Sequence, residues 1–86
     1  MKKIIETTDA AGLEALLGEN VLLLCANYFY TGKLVGVNSS FVQLENPAIV
    51  YETGKWADKN YTDTQPLHVK TWYVQTAAIE SYGQSK

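Results

Sequence analysis

The sequence contains no arginine, and only one cysteine, one histidine and two prolines. The missing arginines exclude the commonest device for gripping nucleic acid regardless of sequence, the neutralisation of many phosphates by a basic face. Seven lysines stand against nine acids, for a net charge of −2. A single cysteine cannot form an internal disulfide, and with one histidine it cannot supply a Cys/His zinc set. Cys25 ends the apolar run VLLLC and reads as a buried small hydrophobe rather than a reactive thiol. His68 stands alone in a polar stretch and reads as a surface residue. Long apolar runs are also missing. Met1–Glu6 offers two lysines and then only Ile4 and Ile5 before an acid, which suits neither a signal peptide nor a membrane span, so a cytoplasmic protein is expected. Nor is there a nucleophile paired with a base, a glycine-rich phosphate loop or a cluster of metal ligands. Asp58 with Asp63 is the only carboxylate pair worth naming. The expectation is a protein that is not an enzyme, with no catalytic residue, metal or cofactor.

What is present is strand-forming sequence. Val21–Cys25 is apolar at every position, as in a strand covered on both faces. Ala26-Asn27 suits a tight reversal, and a second strand runs from Tyr28 to Val37. Tyr28, Tyr30, Gly32, Leu34 and Gly36 fall on one of its faces, with Phe29, Thr31, Lys33, Val35 and Val37 on the other. Glycines at alternate positions weaken a strand unless it bends sharply or meets other backbone closely, so Gly32 and Gly36 read as bend points. Asn38-Ser39-Ser40 is a polar turn into a third strand beginning at Phe41, and Asn46-Pro47 reads as a kink or bulge. Ala48–Tyr51 then continues that strand or forms the next.

The remainder is placed around this sheet as one domain, residues 1–86. Residues 1–7 read as an N-terminal arm. Thr7-Thr8-Asp9 has N-cap chemistry, Leu13, Leu16 and Leu17 share a helical face, and Gly18 is a stop, so a short helix is expected from Asp9 to Leu17. Apolar periodicity ceases over residues 53–68, an extended loop or hairpin tip between the third and fourth strands. Val69–Tyr73 and Ala77–Tyr82 are the last two strands, with a turn at Gln75-Thr76 between them.

A short helix ending in LEALLGEN, a strand, a tight turn, a long strand with a central glycine and an N-S-S-F turn together resemble the opening of the Sm and Sm-like (Lsm) family, in which the bacterial Hfq proteins are included. Gly32, Leu34, Asn38 and Phe41 occupy the places of its first motif. LENPAIVYE resembles its third strand, and WYVQTAAIES resembles its second motif, with Gln75 and Thr76 at the turn. The resemblance covers about residues 8–52 and 69–82. It implies a mainly β chain folded as a small barrel, an N-terminal helix followed by a strongly bent five-stranded antiparallel sheet. It also implies self-association as a homo-oligomeric ring of about five to seven copies, joined edge to edge through the last two strands. Tyr28, Phe29, Tyr30, Trp72, Tyr73 and Tyr82 would then line the core and the subunit contacts.

In the family, the two turns meet at a central pore and hold single-stranded RNA by stacking and side-chain hydrogen bonds. The positions that correspond here are Asn38, Ser40, Phe41, Gln75 and Thr76, the candidate RNA-binding residues. Several depart from the family pattern. Asn38 replaces an aspartate, Ser40 a stacking aromatic, Val42 an asparagine, and Gln75 and Thr76 an arginine and a glycine. Phe41 reads first as an inward-pointing core residue, with base stacking as the alternative. In the long loop, Lys55, Trp56, Lys59 and Tyr61 interleave cations with aromatics, a candidate secondary nucleic-acid contact, although a solvated tip with a packing tryptophan is the simpler expectation. The rival expectation for the whole chain is an oligomeric scaffold, or a ring that takes a small nucleotide and not an RNA chain. A third is a monomeric SH3-like barrel that binds a protein.

Overall fold

The computed structural model describes residues 12–86. The expected arm and the N-cap Thr7-Thr8-Asp9 lie outside the described residues. Six strands follow one another: β1 Asn20–Cys25, β2 Phe29–Val37, β3 Phe41–Glu52, β4 Asp63–Pro66, β5 Thr71–Gln75 and β6 Ile79–Gln84. A 3-10 turn at Leu13–Leu16 precedes β1, and another at Thr76–Ala78 joins β5 to β6. All pairings are antiparallel and belong to one sheet, ordered β4-β3-β2-β1-β6, with β5 also paired to β3. The chain is thus mainly β, as expected, with six strands among the described residues in place of five.

Over its described part, from Gly12 onward, the expected Asp9–Leu17 helix is not an α-helix. Gly12 has φ 73 and Leu17 has ψ 130, both outside the helical region, so only one 3-10 turn forms between them. Leu13 and Leu16 still pack against the core, which is the contact their spacing was suited to make. Gly18, at φ 88, turns the chain back into the sheet, where its N–H donates to Leu34 O at 2.7 Å.

Alternation and apolar content explain the core. Val21, Leu23 and Cys25 of β1, Leu34 of β2, Val42 and Leu44 of β3 and Val74 of β5 form one buried cluster. Burying each aliphatic side chain contributes roughly 1.5–3 kcal/mol. Aromatic residues are absent from this cluster. Of the aromatics expected to line the core and the subunit contacts, Tyr30 packs against this cluster, while Tyr28, Trp72, Tyr73 and Tyr82 are 46%, 36%, 57% and 43% exposed. They sit at edges and at the β1–β2 turn, where a broad ring can rest one face on the sheet and leave the other in water.

The sheet bends where the glycines stand. Across one stretch β2 has the single residue Gly32 between Thr31 and Lys33, whereas β3 has Asn46 and Pro47 between Glu45 and Ala48. On the far side of β3, Leu67 to Lys70 fill the interval between Pro66 and Thr71. Chain length across the same span therefore grows from β2 outward, and the sheet must curl with β2 on the inside. Asn46 takes φ 50 to make the bulge, and Pro47, fully buried, is tolerated there because the ladder is already broken. A second break between Leu34 and Gly36 places the other glycine at a bend as well.

The region expected as a loop from 53 to 68 is shorter than that. Asp63–Pro66 pairs with the second half of β3, from Glu52↔Asp63 to Ala48↔Pro66, leaving residues 53–62 as the tip of a long hairpin. β4 and β5 lie along the same edge of β3, interrupted only at the bend. Among the described residues the sheet does not close, because β5 and β6 do not pair with each other. No helix among the described residues is long and apolar enough to cross a membrane.

Candidate functional site

Asn38 closes the β2–β3 turn through its own side chain. Its Oδ1 accepts the N–H groups of Ser40 at 2.7 Å and Phe41 at 2.8 Å, while its backbone N–H donates to Phe41 O at 3.0 Å. The turn needs an acceptor oxygen at this position, which aspartate and asparagine both supply. An aspartate at this position would close the turn in the same way. The Oδ1 is thus already committed to the backbone.

The second turn docks on the first. Thr76 donates its N–H to Ser40 O at 3.0 Å and its hydroxyl to Ser39 O at 2.8 Å. Directly beside this contact, Phe41 is paired with Gln75 and Gln43 with Tyr73 in the β3–β5 ladder. Strand alternation sends Val42 and Val74 into the core and presents Phe41, Gln43, Tyr73 and Gln75 on the outer face. Those four side chains line a cleft of about 590 Å³. The Phe41 and Tyr73 rings meet edge to face, with centroids 5.2 Å apart and planes at 85°.

Phe41 was expected to point inward; instead it is 39% exposed, because Val42 occupies the core position at the start of β3. All five candidate residues, Asn38, Ser40, Phe41, Gln75 and Thr76, lie in or beside this one region. Gln43 and Tyr73 belong to the cleft as well and were missed in the sequence. The signal was there in the alternation of FVQ and WYVQ, which puts Phe41 with Gln43 and Tyr73 with Gln75. Among the described residues, none that lines the cleft carries a formal charge, so its chemistry is that of ring faces and primary amides. It can stack a planar group and hydrogen-bond its polar edge, and it offers nothing to neutralise a phosphate.

The second candidate group is elsewhere. Lys55, Trp56, Lys59 and Tyr61 belong to the hairpin tip, beyond Glu52 at the far end of β3 from Phe41. Trp56 is 64% exposed. Both rings already face a cation: Lys86 Nζ lies 5.2 Å from the Trp56 ring centroid and 5.0 Å from that of Tyr61. Nothing local to Lys86 in the sequence predicts its contact with residues more than twenty positions away.

Another concavity, about 530 Å³, opens where the sheet fails to close, with Tyr28, Tyr30, Trp72, Val74 and Ile79 among its lining residues. Burial raises the pKa of Cys25 at its base. That of Tyr30 is raised first by burial and then by the neighbouring Cys25 and Tyr28. Both groups are thereby kept neutral, and Cys25 is buried as expected. His68 is exposed on the segment between β4 and β5. Comparison of the chain with protein-family models, curated proteins and solved structures finds no significant match.

Proposed function

We propose that the chain is a non-enzymatic Sm-like subunit that assembles into a homo-oligomeric ring and holds single-stranded RNA by its bases. In this proposal the bent sheet is a small Sm-like barrel and the candidate cleft faces the pore. The observation that carries it is the meeting of two segments far apart in sequence, Asn38–Phe41 and Gln75–Thr76, in one uncharged cleft with an exposed aromatic. The resemblance implied such a meeting for an RNA-holding site. The outer edges of β5 and β6, unpaired among the described residues, support assembly, since each offers the backbone groups that the other needs. Base stacking and amide hydrogen bonds, not phosphate neutralisation, supply the affinity, which accords with a chain that has no arginine.

The test is a fluorescence-anisotropy titration of U-rich RNA, with A-rich RNA and single-stranded DNA as comparators, at low and physiological salt. Saturable binding that prefers one RNA and survives the higher salt is expected. Phe41→Ala should weaken it by about 1–3 kcal/mol, the usual value of one base–aromatic stack, and leave assembly unchanged. Binding that is blind to sequence and lost with salt would sink the RNA assignment.

A second possibility is favoured by one specific feature. A cleft of a size to admit a single base, lined by two rings and two amides, suits a small nucleotide held by its base with its phosphate left in water, in a ring that does not engage RNA chains. A mononucleotide that saturates the site while RNA chains do not compete would select it.

A further inference from the structure

Lys86 is seated in the hairpin tip. Its Nζ donates to Thr53 O at 2.6 Å and to Lys55 O at 3.0 Å. The Trp56 and Tyr61 rings flank the same nitrogen, at 5.2 and 5.0 Å from their centroids, within the range in which a ring quadrupole attracts a cation. Gly54 separates the two carbonyl-bearing residues and takes φ 70, a backbone shape suited to glycine; a Cβ there would strike Thr62 Oγ1. The preceding residue fastens the same place. Ser85 Oγ lies 2.6 Å from Tyr61 OH and accepts from Thr31 Oγ1 at 3.3 Å, while Ser85 N–H donates to Asn20 O at 2.8 Å. Two carbonyls, two aromatic faces and a braced approach thus converge on one ammonium.

We propose that the hairpin tip is a binding site for a primary alkylammonium group, and that Lys86 fills it in cis, latching the end of β6 to the β3–β4 hairpin. The ligand class follows from the partners. The two carbonyls need N–H donors, which a quaternary ammonium lacks, and the rings need a positive charge, which a neutral amide lacks. While Lys86 is in place, the parts of the Trp56 and Tyr61 ring faces that it covers are not open to bases, although Trp56 remains 64% exposed. The site is independent of RNA binding at the far end of β3 and stands or falls without it.

The experiment is NMR on the full chain and on Lys86→Met, which keeps most of the side-chain length and removes the charge. In the unsubstituted protein the Lys86 ε-protons should be shifted upfield by the two rings relative to the other lysines, and Trp56→Ala should move them back. Amide exchange over residues 53–62 should quicken in Lys86→Met by at least about 2- to 5-fold, the equivalent of one exposed cation–π contact, with the core amides unchanged. Butylammonium added to Lys86→Met should shift the Trp56 indole signal saturably, whereas tetramethylammonium should do so weakly and butyramide not at all. Ordinary Lys86 ε-proton shifts, or an indole response to butyramide equal to that for butylammonium, would overturn the proposal.

Discussion

At Gly32 the chain has room for a hydrogen and for nothing larger. A Cβ there would lie 3.0 Å from Glu45 O, 3.2 Å from Leu44 Cβ and 3.4 Å from Pro47 Cα, two of them backbone atoms of the bulge that bends the sheet. Glu45 is paired on both sides, with Lys33 and with Thr71, so its carbonyl cannot withdraw as a flexible side chain can. Gly32→Ala should therefore destabilise the protein by about 1–3 kcal/mol, the usual cost of overpacking, seen as a lower urea midpoint with an unchanged slope. Gly83→Ala is the control, since a Cβ at that strand position meets nothing within 4 Å and should change stability by no more than about 0.5 kcal/mol. Equal effects at the two glycines would mean that the close approach at the bend is not what requires Gly32. Asn38 illustrates the same economy in a turn, because a single acceptor oxygen satisfies two backbone donors.

Among the elements, β3 organises the rest, pairing with β2 along one edge and with β4 and β5 along the other. Its first half carries the candidate cleft, held by the two bonds from Thr76 to the β2–β3 turn. Thr76→Val removes the hydroxyl bond and keeps the backbone one, at a net cost of about 0.5–1.5 kcal/mol. The expected signature is local, with faster amide exchange at residues 38–41 and an unchanged core; loosening of the whole sheet would contradict it. These elements also differ in how plainly the sequence announced them. β1, β2 and the Asn38–Ser40 turn were legible because an apolar run, alternating faces and an Asx-type turn are local signals. β4 was not, since DTQP is exposed throughout and carries a proline, so only its ladder with β3 makes it a strand. The leucine spacing at 13, 16 and 17 suggested an α-helix, but the left-handed Gly12 and extended Leu17 reduce it to one turn. Phe41 was misplaced because a strand's first residue can take either face, and Val42 won the core.

At the scale of the whole molecule, what stands out is a sheet whose strands β5 and β6 are, among the described residues, unpaired on their outer sides, with aromatic side chains along them. Trp72 and Tyr73 of β5 and Tyr82 of β6 are all exposed. An edge of this kind leaves unpaired N–H and C=O groups, and the apolar rings beside them gain by leaving water. Pairing β5 of one copy with β6 of the next would satisfy both edges at once, and because that contact is head to tail it closes into a ring when the rotation permits. Light scattering at micromolar concentration should then report a discrete multiple of the chain mass. Tyr82→Lys, which places a charge on the β6 edge, should shift that mass toward the monomer while the circular dichroism of the sheet persists. The two kinds of substitution separate assembly from recognition. If the proposed ring forms with the clefts facing its pore, Phe41→Ala should weaken RNA binding and keep the ring, whereas Tyr82→Lys should cost both. A chain that is monomeric before any substitution would remove the pore, and with it the physical basis for holding RNA by several clefts at once.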